Sequence, residues 1–205
     1  MITPLNDSIK GVMEFTWPMI IICILTLSSI RITYLIKNKK EFVLYREIFY
    51  LIFLIYILCL FQVVTVEDTS SLGSNNLIPL KEIFRYKLGT RLFFKNVIGN
   101  IVLFIPYGLF VTAYTKIERP FHALCLVFFA SVAIEVTQLL IGRVFDIDDI
   151  ILNVIGGFIG YAIWTLLDSI GERLPKIFRS TWFLNLFSIV IVILFISYAW
   201  MVVIK

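Results

Sequence analysis

The chain has 205 residues, of which 60% are hydrophobic and 16% are charged, and its formal net charge is +4. A soluble domain is about 45–50% apolar and about 25% charged, so this composition excludes an ordinary soluble enzyme or binding domain. The small positive charge is explained by the orientation of a membrane protein, and we expect no nucleic-acid partner. The sequence predicts an all-α fold, a polytopic transmembrane helical bundle in which residues 1–205 form a single integral membrane domain.

Six apolar segments are long enough to cross a hydrocarbon layer of about 30 Å. They are Trp17–Ile36, Ile48–Val66, Val97–Thr115, Leu124–Ile141, Ile150–Leu167 and Phe183–Ile204. The fourth and fifth are joined by the short segment Gly142–Asp149, which predicts a tight antiparallel hairpin. The first apolar segment lacks a basic region before it and a small-residue cleavage site after it, so we expect a retained helix rather than a signal peptide.

The distribution of basic residues predicts the orientation. The loops after the first, third and fifth spans carry Lys and Arg. Because cytoplasmic loops of membrane proteins are enriched in these residues, we expect a multi-pass protein of the cell membrane with both termini extracellular. The opposing observation is the loop Glu67–Lys95, which is also basic and which this orientation places outside.

The same loop contains a predicted amphipathic segment. It follows a polar, turn-like stretch, Ser70–Asn76, and Pro79. From Leu80 onward, apolar residues recur at helical spacing among four cations, Lys81, Arg85, Lys87 and Arg91. Such a segment can lie as a short helix along the membrane interface, with its cations near lipid phosphates. A connecting helix whose charges only anchor it is an equally good interpretation.

Polar residues are concentrated at the ends of the third, fourth and fifth spans, although a polar side chain in hydrocarbon is costly unless it finds a partner. Residues three or four apart share one face of an α-helix. The predicted same-face sets are Asn96 with Asn100, Glu135 with Gln138, and Asp146 with Asp149, Asn153, Gly157 and Gly160. By the same phase Asp148 points away and is a weaker candidate.

Chain direction brings these sets together. The third span begins at the membrane face where the fourth ends and the fifth begins, so all of them belong to one leaflet. Glu135 lies about 10 Å below the turn at Gly142, since a helix rises about 1.5 Å per residue. The sequence therefore predicts a polar cavity among three helices, open to one surface, which is the outer surface in the favoured orientation.

Two kinds of chemistry fit these residues. As ligand-binding groups we predict Asn96, Asn100, Gln138, Arg143, Asp146, Asp149 and Asn153. The planar fork of Arg143 suits a phosphate or carboxylate, and amides suit sugar hydroxyls or peptide groups. Glu135 is the candidate catalytic residue, as general base or acid. We expect no cofactor; a divalent cation at Asp146 and Asp149 is a weaker hypothesis.

A purely structural interpretation competes with both. Glu135 can pair with Arg143, and Asp149 and Asn153 can cap the fifth helix and hydrogen-bond to Asn100. A bundle held together by such contacts needs no ligand. This interpretation is weakest for Glu135, because a buried carboxylate is a costly way to fasten helices.

The motifs together resemble the VanZ-like family. The elements that carry the resemblance are Glu135-x-x-Gln138, the run Arg143–Asn153, the glycines that follow it, Asn96-x-x-x-Asn100, Phe104–Gly108 and Asn76–Pro79. The resemblance covers about Leu77–Leu167. It implies an integral membrane protein, and the member that names the family is associated with low-level teicoplanin resistance. It implies no settled reaction or ligand.

The resemblance and the predicted cavity give the functional expectation. Teicoplanin carries an acyl chain, so a site that binds an amphiphile fits the association with resistance. We expect a protein of the bacterial cell envelope whose partners are membrane lipids and either a lipid-linked cell-wall precursor or a lipoglycopeptide. The alternatives are a membrane enzyme that modifies a lipid-linked substrate with Glu135 as acid or base, a membrane scaffold, or a transporter.

Overall fold

The computed structural model describes residues 3–66 and 75–204, and the secondary structure in these ranges is helical apart from one isolated bridge between Asn76 and Asp146. The helices are α1 (Thr3–Lys37), α2 (Leu44–Val66), α3 (Lys81–Arg85), α4 (Arg91–Phe93), α5 (Gly99–Thr115), α6 (Pro120–Leu140), α7 (Ile147–Arg173) and α8 (Thr181–Ile204). A π-helical turn, Phe94–Ile98, joins α4 to α5. The predicted all-α class is confirmed.

Five helical segments are long and apolar enough to cross a membrane by length and composition. They are Trp17–Lys37, Leu44–Val64, Arg91–Thr115, Pro120–Leu140 and Ile147–Arg173. The predicted sixth span falls on α8, whose described side chains form a shorter apolar stretch, Thr181–Leu194. Large apolar side chains are exposed along these helices, including Leu25, Phe129 and Leu166. Such a surface is stable in contact with lipid. In water it would be an extensive exposed apolar patch, which is unfavourable.

The chain divides into two compact units. One includes Tyr56–Asp168, and the other includes Phe15–Ile55 and the chain from Ser169 onward. In the second unit, Arg31 donates to the Glu47 carboxylate from two nitrogens, at 2.9 and 3.1 Å. The backbone N–H of Tyr45 donates to the side-chain oxygen of Asn185 at 3.0 Å, which ties α2 to α8.

The first unit is built on a close approach of α5 and α7. A Cβ placed on Gly156 would lie 2.1 Å from the carbonyl oxygen of Ile101, and one on Gly108 would lie 2.0 Å from the carbonyl oxygen of Gly157. A Cβ on Gly160 would meet the α5 backbone at a similar distance. The absence of side chains at these positions therefore allows the two backbones to touch, as the Gly156-x-x-x-Gly160 spacing predicts.

The segment before α5 differs in detail from the sequence prediction. The helical stretch begins at Arg91 rather than at Val97, because the Thr90 side chain accepts a hydrogen bond from the Phe93 N–H and so caps the helix. The predicted interfacial helix is limited to α3. The chain turns after it, with Gly89 at a φ of +80°. The Ser70–Ser74 part of the predicted polar turn lies outside the described residues.

Candidate functional site

A cavity of about 280 Å³ lies where α5 begins, α6 ends and α7 begins. The last turns of α2 and the loop around α3 complete its wall. All eight residues predicted from the sequence line it: Asn96, Asn100, Glu135, Gln138, Arg143, Asp146, Asp149 and Asn153. The structure therefore brings together the three sets that helical phase and chain direction placed at one end of the bundle.

Glu135 is the most deeply buried of these residues. Its side chain is 1% exposed, and its Oε2 accepts a hydrogen bond from the backbone N–H of Asp146 at 3.0 Å. Its other oxygen, Oε1, has no hydrogen-bond partner within the described ranges. A carboxylate is costly to bury without partners for both oxygens, so Glu135 is suited to interact with a group that enters the cavity.

The end of α6 is fastened to α2 through a single carbonyl. Gly142, at a φ of +87°, turns the chain out of α6. Arg143 Nη1 then donates to the carbonyl oxygen of Val64 at 2.5 Å, and Gln138 Nε2 donates to the same oxygen at 3.3 Å. No ion pair joins Glu135 to Arg143 in the part of the chain that the structure describes. The pairing considered in the structural interpretation is therefore replaced by contacts to the backbone of α2.

Polar contacts also tie α7 to its two neighbours. Asn100 Nδ2 donates to Asp149 Oδ1, which links α5 to α7. Asn153 Nδ2 donates to Ser131 Oγ at 2.8 Å, which links α7 to α6, and both of these side chains are buried. Asn153 thus bonds to Ser131 rather than to Asn100 as expected, and within residues 3–66 and 75–204 the side chain that bonds to Asn100 is Asp149.

Asp146 lies before the first turn of α7, not on the helical face to which the sequence prediction assigned it. Its Oδ1 accepts from Asn76 Nδ2 at 2.8 Å and from the Asp148 N–H at 2.9 Å. Burial raises the pKa of Asp146, although these two donors oppose the shift. Backbone hydrogen bonds from Asn76 to Phe145 and from Ile147 to Asn76 hold this segment against the loop before α3.

Asp148 lines the cavity, although its position in the helical repeat predicts that it points away from the site. It is 1% exposed, and its carboxylate accepts hydrogen bonds from the backbone N–H groups of Leu80, Glu82 and Ile83. These donors belong to the start of α3, so Asp148 caps that helix from a distance of 65 to 68 residues along the chain. No local spacing in the sequence signals such a contact.

The remaining polar wall comes from the loop around α3. Glu82 lines the cavity and forms an ion pair with the exposed Arg85 at 3.1 Å. Tyr86 also lines it, and burial raises the pKa of its hydroxyl. Among the described residues, no group of three or more His, Cys, Asp or Glu side chains is placed to hold a metal ion. The cation at Asp146 and Asp149 stays a prediction.

Part of the chain is similar to a known protein. Over 75 residues it is 33% identical to Protein VanZ of Enterococcus faecium, an overlap that includes 36% of this chain and 46% of that protein. The matched segment thus spans about half the length of this relative. No solved structure matches the chain.

The family comparison covers the cavity as a whole. The model described as VanZ/LLP1 matches residues 47–168, a range that contains all eight predicted site residues. The matched range begins upstream of the region Leu77–Leu167 that the motifs indicated, and it includes most of α2. The Val64 carbonyl oxygen on α2 accepts the hydrogen bonds from Gln138 and Arg143. Because the match includes more than half of the chain, the chain belongs to the VanZ/LLP1 family.

Proposed function

We propose that the protein acts in the bacterial cell envelope, where its cavity binds the polar head of a lipid-linked cell-wall component or of a lipid-tailed antibiotic such as teicoplanin. The observation that carries this proposal is Glu135, a carboxylate that is 1% exposed and has one oxygen without a partner in the described residues. Burying such a carboxylate costs more free energy than a contact between helices would return, whereas the same group can bind a ligand. Family membership adds the association with glycopeptide resistance that the resemblance implies.

The size of the cavity restricts what enters it. Its volume of about 280 Å³ is at the lower end of the roughly 300–1,000 Å³ typical of small-molecule pockets. The body of a glycopeptide is several times larger. In this proposal the cavity therefore accepts a head group or one arm of a larger molecule, while an acyl chain lies along the exposed apolar side chains of the helices.

The proposal can be tested with Glu135→Gln and Arg143→Ala, with Asp168→Asn as the matched control. Asp168 is exposed on α7 and does not line the cavity. We expect native mass spectrometry of the gently extracted protein to reveal a co-purifying lipid, which the two cavity variants lose and the control keeps. Cells that express the cavity variants should also lose protection against teicoplanin. Full protection by both variants, at normal levels of folded protein in the membrane, would contradict the proposal.

A second candidate function is modification of the bound lipid, with Glu135 as general acid or base. The burial of Glu135 at the cavity wall favours it, because such a site excludes bulk water from the reacting group. The same mass spectra separate the two functions. A mass change in the bound lipid that requires Glu135 indicates an enzyme, whereas an unchanged lipid indicates a binding protein.

A further inference from the structure

We propose that the α3 loop, residues 75–91, docks its exposed side onto the phospholipid head groups of the membrane and recruits anionic lipid there. The proposal does not depend on what the cavity binds. It follows from three observations: where the loop is attached, which of its side chains are exposed, and how its charges are paired.

The α3 loop is attached to the starts of two membrane-spanning helices. The carbonyl oxygen of Asn76 accepts a hydrogen bond at 3.0 Å from the backbone N–H of Ile147, the residue with which the α7 span begins. At the other end of the loop, Arg91 is the first residue of the next span. Each residue advances the chain by at most about 3.6 Å, so Leu88 lies within about 11 Å of that span. The loop is therefore confined to the region where hydrocarbon meets water.

The side chains of the α3 loop form two sets. One set lines the cavity and consists of Glu82, Ile83 and Tyr86. The other set is exposed and includes large apolar side chains, of which Phe84 is 80% and Leu88 is 83% exposed. Leu77, Ile78 and Leu80 are exposed as well. Apolar side chains of this size are unfavourable in water and favourable among acyl chains, so the exposed side of the loop is suited to lipid.

The exposed side is also cationic. The Glu82 carboxylate pairs with Arg85 at 3.1 Å, and the two charges compensate each other. The other cations of the loop, Lys81, Lys87 and Arg91, are exposed and have no carboxylate partner in the part of the chain that the structure describes. Cations interspersed with apolar side chains at the edge of the hydrocarbon layer are typical of surfaces that bind anionic lipid.

A second copy of the chain is less suited to cover this surface. In a symmetric dimer the same patch of both copies meets across the interface. The three unpaired cations of one copy would then face those of its partner, and like charges repel. The phosphates of anionic lipids complement the same cations, and their acyl chains accept the apolar side chains between them.

Docking of the α3 loop has a consequence for the cavity. The loop supplies Glu82, Ile83 and Tyr86 to the cavity wall while its exposed side lies against the head groups. The wall is thereby held at the depth in the membrane where the polar head of an amphiphile lies. Docking thus places the cavity where such a head is available.

The first measurement locates the loop in the bilayer. The full chain carries an environment-sensitive fluorophore at Leu88→Cys and is reconstituted in phosphatidylcholine nanodiscs, after replacement of Cys23, Cys59 and Cys125 by Ser. Bromine near the carbonyl end of the acyl chains should quench this fluorophore more strongly than bromine near the methyl end, because the loop enters only the shallow part of the bilayer. The matched control is Phe129→Cys, an exposed position in the middle of α6, which should show the reverse order.

The second measurement tests the preference for anionic lipid. In nanodiscs of equal amounts of phosphatidylglycerol and phosphatidylcholine, only one of the two lipids is brominated. Brominated phosphatidylglycerol should quench the Leu88→Cys fluorophore at least about twofold more strongly, because each basic residue near an anionic surface favours its lipid. Lys87→Gln combined with Arg91→Gln should remove most of this difference. Lys116→Gln combined with Arg119→Gln neutralises the same two residue types in the loop between α5 and α6 and should preserve it.

Each other outcome contradicts a defined part of the proposal. Absence of quenching by either bromine position overturns the docking, and energy transfer between fluorophores of two chains in one nanodisc would identify a second copy as the occupant. Equal quenching by the two brominated lipids overturns the preference for anionic lipid. A difference that both double variants abolish alike overturns its assignment to the α3 loop. If a double variant fails to fold, the comparison of the two brominated lipids on the Leu88→Cys chain alone decides.

Discussion

Asp148 couples the cavity to the loop that borders it. Its two oxygens collect backbone N–H groups from Leu80, Glu82 and Ile83, and Asn76 lies within 3.5 Å of the same carboxylate. Leu80 has a φ of 67°, a left-handed conformation that is uncommon for a residue with a side chain. The carboxylate therefore holds in place a turn that the local sequence does not favour, and the positions of Glu82 and Tyr86 in the wall depend on it.

Asp148→Ala should lower the free energy of unfolding by about 1–3 kcal/mol, because it leaves three partly buried N–H donors, those of Leu80, Glu82 and Ile83, without their acceptor. Thermal unfolding of the protein in detergent measures the effect. Asp168→Ala, on the exposed face of the same helix, is the matched control and should change the stability by less than about 0.5 kcal/mol. Equal unfolding temperatures for the two variants would show that the loop is held by other contacts.

At the scale of elements, α5 and α7 are held at a distance that only glycine permits. The positions involved are Gly108 on α5 and Gly156 and Gly160 on α7, where an added Cβ would meet backbone atoms of the facing helix. Backbone atoms cannot rotate out of the way as the end of a flexible side chain can. The position of Asn100 opposite Asp149, and with it one wall of the cavity, therefore depends on these small residues.

Gly160→Ala and Gly171→Ala make the same chemical change on the same helix and should have opposite effects. At Gly160 the new Cβ lies 2.1 Å from the Ile105 carbonyl oxygen, so the helices must separate, at a cost of about 1–3 kcal/mol. At Gly171 a Cβ meets nothing within 4 Å, and the better helix propensity of Ala should stabilise the helix by about 0.5–1 kcal/mol. Thermal unfolding compares them, and a neutral Gly160→Ala would contradict the close packing.

The spans and the position of the cavity could both be predicted from the sequence. Span positions depend on local apolarity, which is visible along the chain, so the first five spans are found in the right places, although the observed ends at Arg91 and Arg173 each lie six residues from the predicted ones. The cavity was predictable too, because the alternation of chain direction forces the polar ends of α5, α6 and α7 to meet. Both inferences use only periodicity and connectivity.

The features of the site that the sequence did not predict depend on contacts between segments that are distant along the chain. Asn76 reaches Asp146 across 70 residues, and Asp148 reaches the start of α3 across a similar distance. Hydrophobic periodicity contains no information about where a polar loop folds back. The π-helical turn at Phe94–Ile98 is unsignalled for a related reason: its hydrogen bonds depart from the 3.6-residue period on which a helical prediction relies.

For the molecule as a whole, the proposed function depends on which side of the membrane the cavity faces. The cavity lies where α2 ends and α7 begins, whereas the basic loop Lys116–Arg119 lies at the other ends of α5 and α6. In the sequence the loops Lys37–Arg46 and Arg173–Arg179 are basic as well, so from the positive-inside rule we expect an outward cavity, with the basic loop Glu67–Lys95 as the opposing observation. Lipid-linked cell-wall components and external antibiotics are accessible from that side.

Cysteine labelling in intact cells tests this orientation. The background replaces Cys23, Cys59 and Cys125 with Ser, and each test variant adds one exposed cysteine, Lys87→Cys beside the cavity or Glu118→Cys in the loop between α5 and α6. A membrane-impermeant maleimide should label the Lys87→Cys variant directly and the Glu118→Cys variant only after permeabilisation, since a charged reagent does not cross the hydrocarbon layer. The reverse labelling pattern would show that the cavity opens toward the cytoplasm. A site there would face the inner leaflet, where it could meet lipid precursors before their export but not an antibiotic that remains outside the cell.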